Sequence, residues 1–265
     1  MKNSNIAWVH NTWNPWVGCS AEHCEVAHQC YAKALVTRTG GTFSSLRQTS
    51  SSIWSAPYRW NAEAKAQGKC VRVFSLSMGD FFDRQADALR VPAWQVIREC
   101  QNLVFMILTK VPARIQGHLP DDWGNGYKNV WLGTSITSNK PRILERLDKL
   151  RDVPAELRFV SAEPLWGPLT GIDLRRFKLL IVGGESGPNW EKHKMDLAWA
   201  KEAYDIAHAQ DTKFFFKQIS ARRDEQGTDA LGKLIPPGTP RLIRDIPDGP
   251  LPWLDMDKEG DRIAA

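Results

Sequence analysis

The sequence has no long apolar run. No stretch approaches the ~20 apolar residues that a membrane-spanning helix needs, and the opening "MKNSNIAWVHNTW" contains neither a continuous apolar segment nor a small-residue cleavage site. We therefore expect no membrane partner and no signal peptide, and we expect a cytoplasmic protein.

Several catalytic signatures are also missing. The sequence contains no H-E-x-x-H motif, no G-x-S-x-G motif and no paired-carboxylate hydrolase signature. The segment "GGESG" lacks the G-x4-G-K-[ST] form of a phosphate-binding P-loop. These absences argue against the common hydrolases and the P-loop NTPases.

Cysteine is scarce but unevenly placed. Three of the five cysteines, Cys19, Cys24 and Cys30, fall within twelve residues, whereas Cys70 and Cys100 stand alone in apolar segments. An odd number of thiols in a cytosolic protein favours metal or redox chemistry over disulfides. We expect the two isolated cysteines to be core residues.

Two kinds of metal site fit a trio of thiols. A structural zinc knuckle needs a fourth ligand, which His23 or His28 would supply, although the C-x4-C-x5-C spacing is not the usual paired form. An iron–sulfur cluster held by only three cysteines keeps one iron open for a substrate or cofactor. The spacing alone leaves both sites open.

The charge balance favours a polyanionic partner. The formal net charge is +5, the pI is about 9.0, and twelve tryptophans offer flat surfaces on which bases stack. Nucleic acid is therefore a candidate partner, although tryptophans that simply fill a core are the alternative. The oligomeric state is not indicated.

Short, nearly continuous apolar runs recur along the chain, as in strands that are buried on both faces of a parallel sheet. Helical periodicity follows or precedes several of them, for example in "NKPRILERLDKLRD", and an additional first strand is expected near "IAWVHNTWNP". The runs span residues 71–80, 103–110, 129–135, 157–164, 178–187 and 213–218.

This alternation predicts an α/β protein with a full or partial (β/α) barrel of about six to seven parallel strands. A doubly wound open sheet is the alternative. We place the barrel domain at residues 1–225 and an irregular, proline-rich C-terminal extension, packed on the barrel, at 226–265. In either architecture the active site lies at the carboxyl ends of the strands.

An ordered set of motifs resembles the three-Cys-motif family of phage and bacterial proteins, a domain of unknown function that is radical-SAM-like. The resemblance covers residues from about 6 to about 220. The motifs are "WNPWVGC", "CYA", "SMGDFFD", "ILTKVPAR", "NVWLGTS", "RFVSAEPLWGPL", "IVGGESGP" and "FFFKQ". Relatives carry a C-x2-C pair directly before Tyr-Ala, whereas five residues separate Cys24 from Cys30 here.

The resemblance implies a radical S-adenosylmethionine enzyme of isomerase or lyase type. Cys19, Cys24 and Cys30 would be both the catalytic residues and the metal ligands, holding a 4Fe-4S cluster reduced by an external electron donor. The expected substrate is a nucleobase, such as a thymidine derivative in phage DNA, within a bacterial or phage-infected cell. The alternative is a nucleic-acid-binding phage accessory protein with a structural zinc site.

The resemblance also assigns S-adenosylmethionine contacts to polar residues at the strand ends. It implies that Ser77 and Asp80 bind the methionine amino group, and that Tyr31 packs on the adenine. The remaining implied contacts, to ribose, carboxylate, substrate or phosphate, are Lys110, Thr134, Ser135, Glu163, Gly183, Gly184, Glu185 and Lys217.

Overall fold

The structure is a computed structural model that describes residues 1–20, 24–235 and 240–254. Seven strands form one parallel sheet in the order β1-β4-β5-β6-β7-β8-β9. They are β1 (Asn11–Thr12), β4 (Val71–Ser75), β5 (Leu103–Thr109), β6 (Val130–Ser135), β7 (Leu157–Ala162), β8 (Leu179–Gly183) and β9 (Lys213–Gln218). The predicted α/β class and strand number are confirmed.

The strand order follows the chain without reversal, which makes the alternative of a doubly wound sheet wrong. The sheet curls into a partial barrel, with β1 and β9 at its two edges. A small antiparallel pair, β2 (Trp16–Val17) and β3 (Arg47–Gln48), lies outside this sheet and was not predicted.

In the described part of the chain, six α-helices accompany the strands. Helices α4, α5 and α6 correspond to the segments that were predicted to be helical. The apolar residues of these segments recur at a helical spacing, which places them on one face. The helices are α1 (Tyr31–Arg38), α2 (Ser51–Trp54), α3 (Ala56–Ala66), α4 (Asp87–Glu99), α5 (Pro141–Arg151) and α6 (Leu197–Ala209). Among the described residues, no helix combines the length and apolarity that a bilayer crossing requires.

The two faces of the sheet have different cores. The outer face packs against the helices, for example through Trp94 of α4 and Leu147 of α5. The inner, concave face carries Phe74, Met106, Trp131, Phe159, Ile181 and Phe215. The amino-terminal segment around Trp8 contributes to this inner core.

The chain after β9 also contacts the inner core. Trp253 packs edge-on against Trp131, with 5.7 Å between the ring centroids, and the Arg72 guanidinium lies 4.9 Å from the Trp253 ring. Together with Trp8, this segment fills the part of the partial barrel that lies away from the carboxyl ends of the strands. The proposed domain boundary at 225/226 stays a prediction, and residues 236–239 and 255–265 of the predicted extension lie outside the described residues.

One glycine makes the inner core possible. A Cβ atom at Gly133 of β6 would lie 2.3 Å from the ring of Phe159 on the neighbouring strand, so the ring occupies the space that a side chain would take. Protein cores are packed densely enough that such an overlap displaces neighbouring groups.

We expect Gly133→Ala to destabilise the protein by about 1–3 kcal/mol, because the methyl group overpacks the inner core. Chemical denaturation monitored by circular dichroism measures this change. Gly117→Ala is the matched control, because no atom lies within 4 Å of the position of its Cβ. Equal stability of the two variants would contradict the packing argument.

Candidate functional site

Side chains alternate between the two faces of a strand, so the inner-face residues continue in steps of two beyond the inner core. From Met106 the inner face leads to Lys110, from Trp131 to Ser135, from Phe159 to Glu163 and from Phe215 to Lys217. We call the region lined by Lys110, Ser135, Glu163 and Lys217, at the carboxyl ends of the strands, the mouth. The structure thus brings four of the predicted site residues to one place.

Glu163 and Lys217 form the central charge pair of the mouth. The Lys217 Nζ lies 3.1 Å from Glu163 Oε1, and the Trp8 indole nitrogen donates to Glu163 Oε2 at 3.1 Å. Burial disfavours the lysine charge, but the carboxylates of Glu163, Asp224 and Glu225 together outweigh this effect and raise the pKa of Lys217. A Cβ atom at Gly183 would lie 3.0 Å from Glu163 Oε1, so this glycine leaves room for the pair.

Asp80 and Thr134 connect strand ends instead of facing the mouth. The buried Asp80 carboxylate accepts hydrogen bonds from Thr109 Oγ1 (2.7 Å), the Lys110 backbone N–H (2.8 Å) and the Phe82 backbone N–H (2.9 Å). Burial raises the pKa of Asp80, against the effect of these donors. The Thr134 hydroxyl donates to the Thr109 carbonyl at 2.8 Å. These contacts join β4, β5 and β6.

Gly184 has a similar structural role. A Cβ atom at Gly184 would lie 2.2 Å from the backbone nitrogen of Ser220. This glycine therefore allows the chain after β9 to pack closely against the end of β8. The backbone N–H of Gly184 also donates to the Gln218 carbonyl at 3.0 Å.

Ser77 is held by a residue that the sequence did not single out. The Asn14 amide oxygen accepts from the backbone N–H groups of Ser77 (2.8 Å) and Met78 (3.1 Å). The hydroxyl of Tyr31 donates to the Ser77 carbonyl, while the Tyr31 side chain remains 61% exposed. Tyr31 therefore reaches from the start of α1 to the end of β4.

Residues 19–30, the cysteine loop, begin where two glycines meet. The Gly18 N–H donates to the Met78 carbonyl at 3.0 Å, and a Cβ atom at Gly79 would lie 2.5 Å from the Gly18 carbonyl oxygen. The two backbone segments can approach so closely because residue 79 is a glycine and has no side chain. Cys19 is thereby placed beside the end of β4.

Three polar contacts then fix the cysteine loop to the strand ends. Asp83 accepts from the backbone N–H (2.6 Å) and hydroxyl (2.7 Å) of Ser20, and the Gln29 amide donates to the Glu185 carboxylate. Glu25 forms an ion pair with Arg146 of α5 at 2.6 Å. Although burial acts in the opposite direction, Arg146 holds the pKa of Glu25 below its usual value.

The Gln29 contact belongs to an aromatic cluster at the rim of the mouth. His193 lies 3.4 Å from Glu185 and stacks on Trp166, whose indole nitrogen donates to Glu185 at 2.9 Å. His28 lies 6.0 Å from the rings of both Trp166 and His193. Glu185 thus holds the cysteine loop and this cluster together.

The three clustered thiols are in no disulfide and are partly exposed. Cys19 and Cys30 both pack against the small apolar cluster that contains Val17 and Phe43. Burial raises the pKa of Cys24, and the nearby Lys110 ammonium partly opposes this rise. Within residues 1–20, 24–235 and 240–254, no three His, Cys, Asp or Glu side chains are arranged to hold a metal ion.

The donor chemistry nevertheless fits a three-cysteine cluster, because all three thiols lie on one anchored loop beside the polar mouth and none is in a disulfide. For the zinc alternative, His28 already contacts Gln29 at 3.2 Å, and His23 lies outside the described residues. Cys70 and Cys100 are buried core thiols, as predicted.

Comparison with known proteins assigns the family. The family model "Protein of unknown function (DUF5131)" matches residues 3–240. The chain belongs to this family. A search of curated proteins for relatives of this DUF5131 chain gives no match. The phage origin and the three-Cys-motif description stay predictions.

Two solved structures resemble the DUF5131 chain. One is a doubly substituted spore photoproduct lyase with bound AdoMet and dinucleoside spore photoproduct (15% identity, TM-score 0.49, 83% of this chain and 59% of that chain covered). The other is spore photoproduct lyase complexed with dinucleoside spore photoproduct (14% identity, TM-score 0.48, 79% and 64% covered). The chain therefore spans about three fifths of the length of these structures.

We expect Arg146→Ala to destabilise this DUF5131 protein by about 3 kcal/mol, because Glu25 is left largely buried without its partner. Urea denaturation provides the measurement. Lys128→Ala breaks the exposed pair with Glu156 and should cost less than about 1 kcal/mol. A loss for Arg146→Ala no larger than that of the control would show that the pair does not hold the loop.

Proposed function

We propose that this protein is a radical S-adenosylmethionine enzyme that acts on a nucleobase in nucleic acid. The observation that carries the proposal is the position of the thiols. Cys19, Cys24 and Cys30 lie on a loop that carboxylates fix over the carboxyl ends of a parallel partial barrel. The active sites of such barrels lie at this end of the sheet.

The three cysteines would hold a 4Fe-4S cluster. The bound cluster and S-adenosylmethionine would supply radical chemistry, which no protein side chain performs unaided. An external donor would provide the electron. The chain itself would bind and orient the reactants and limit their access to water.

We divide the candidate contact residues into two groups. Lys110, Ser135, Glu163 and Lys217 line the mouth, and we assign them to ligand binding. The Glu163 carboxylate offers acceptors for amino or hydroxyl groups, and the lysines offer donors to a carboxylate or phosphate. Tyr31 lies at the edge of this group, where its exposed ring is available for packing against adenine.

The second group supports the first. Asp80, Thr134 and Gly184 already use their polar atoms or their space within the chain. We therefore assign them to positioning the strand ends. Glu185 positions the cysteine loop through Gln29, and Ser77 presents its backbone beside Tyr31.

Exposed cations surround the mouth on the segments that leave the strand ends. Such cations attract phosphate groups and make the affinity for nucleic acid depend on salt. They are Lys33, Lys140, Lys192, Lys194, Arg222 and Arg223. Together with the net charge of +5, they support nucleic acid as the substrate class, and we propose a modified or modifiable base such as a thymidine derivative.

Anaerobic reconstitution with iron and sulfide tests the cluster. We expect about four irons per chain and a broad absorption band near ~400 nm, as thiolate-held clusters show, and we expect Cys19→Ala, Cys24→Ala and Cys30→Ala each to remove the band. Cys100→Ala, which removes a buried core thiol, is the control and should keep it. A colourless, zinc-loaded wild type would contradict the radical proposal and favour the zinc-bearing binding protein.

Salt-dependent DNA binding tests the substrate class. The double variant Lys192→Ala/Lys194→Ala should reduce the slope of log K against log salt by about 1.4–1.8, the value for two lost phosphate contacts. Lys65→Ala/Lys213→Ala removes two exposed lysines near the amino ends of the strands, away from the mouth, and should leave the slope unchanged. Fluorescence anisotropy with a labelled oligonucleotide measures both. Wild-type binding without salt dependence would contradict the proposal.

A further inference from the structure

Trp166 and His193 form a stacked pair of rings at the rim of the mouth. Their ring centroids lie 4.5 Å apart and their planes differ by 27°. Trp166 belongs to the connection after β7, and His193 ends a short 3-10 helix, Trp190–His193, after β8. Two separate connections therefore bring planar side chains together beside the cysteine loop.

The indole of Trp166 is fixed in orientation. Its Nε1 donates to the buried Glu185 carboxylate at 2.9 Å, and its backbone N–H donates to the Thr137 carbonyl at 2.7 Å. A ring that is already held in place loses little conformational freedom when another ring stacks beside it. Trp166 is therefore a preorganised base for a stack.

His193 leaves one side of this stack open. Trp166 covers one face of the imidazole, and the Nδ1 edge faces Glu185 at 3.4 Å. The side chain of His193 is nevertheless 33% exposed. The contacts with Trp166, Glu185 and Gln29 involve the first ring face and the Nδ1 edge, which leaves the second ring face as the side on which a further planar group can approach.

The surroundings of the open face match the two parts of a nucleotide. The His28 ring lies 6.0 Å from that of His193, at an angle of 69°, and forms a wall beside it. Lys192 and Lys194, the neighbours of His193 in sequence, are exposed cations. A base would contact the rings while the lysines contact the phosphates.

We propose that the Trp166–His193 pair is a stacking platform for an unpaired nucleobase of the nucleic acid substrate, with the base on the open face of His193. The inference rests on the proposed nucleic acid substrate and adds the site that holds a base outside the duplex stack. Stacking between bases and aromatic side chains tolerates different bases, so the platform selects for an unpaired base and not for one sequence.

A single-stranded oligonucleotide that contains 2-aminopurine tests the platform, because stacking quenches the fluorescence of this base. With the full chain, we expect quenching on binding, and His193→Ala should weaken binding about 5- to 150-fold and remove the quenching. His193→Phe restores a planar ring and should restore both. His208→Ala is the matched control. Its ring packs on that of Tyr204, with 3.9 Å between the centroids, near the end of α6 and therefore at the amino ends of the strands.

The outcomes separate this inference from the proposed function. If the wild type binds and His193→Ala shows the same affinity and the same quenching, the platform is overturned and the nucleic acid substrate stays in place. Loss of binding in His193→Ala without rescue by His193→Phe would assign His193 a role other than stacking and would also overturn it. A wild type that binds no oligonucleotide would overturn both, whereas failure to assemble a cluster bears only on the radical chemistry.

Discussion

In a parallel sheet whose strands follow the order of the chain, every strand ends at the same edge, and the candidate site depends on this constraint. It places Lys110, Glu163 and Lys217 together although more than one hundred residues separate the first from the last. Because side chains alternate along a strand, only one residue in two at each strand end faces the mouth. The amino-terminal segment and the chain after β9 fill the inner face below the mouth, with Trp8 beneath Glu163 and Trp253 against Trp131.

The cysteine loop carries the three clustered thiols, and among its described residues the regular structure is the short 3-10 helix Ala27–Gln29. Polar contacts fix its partly buried residues to the strand ends. Asp83 satisfies the backbone of Ser20, Arg146 neutralises Glu25, and Glu185 binds Gln29. The loop is thus positioned by residues that carry no thiol.

The sequence predicted the main sheet well because strands that are buried on both faces are apolar throughout, as in "LVFMILT" of β5. It did not predict β2 and β3, since two residues each are too few to show a pattern. Strand-end polarity located the mouth but did not separate Glu163, which faces it, from Thr134, which bonds within the sheet. The alternation along β6 contains that information.

The contacts that no sequence pattern reveals are those between distant segments. Gln29 and His193 lie 164 residues apart, and neither belongs to a recognisable motif. Asn14 lies in the motif "WNPWVGC", but the motif does not reveal that its amide oxygen binds the backbone at Ser77 and Met78. Such partners depend on how two irregular connections meet, which local propensity does not determine.

The close approach of Gly18 and Gly79, together with the three carboxylate contacts, has a consequence for how this family diversifies. Since Ser20, Glu25 and Gln29 hold the loop through groups other than thiols, the residues between Glu25 and Gln29 can be gained or lost while these three contacts keep the loop on the barrel. The number of residues between the cysteines can then change during evolution, like the length of any surface loop. On this basis we expect homologues to keep the anchoring carboxylates and glycines more consistently than the interval between their cysteines.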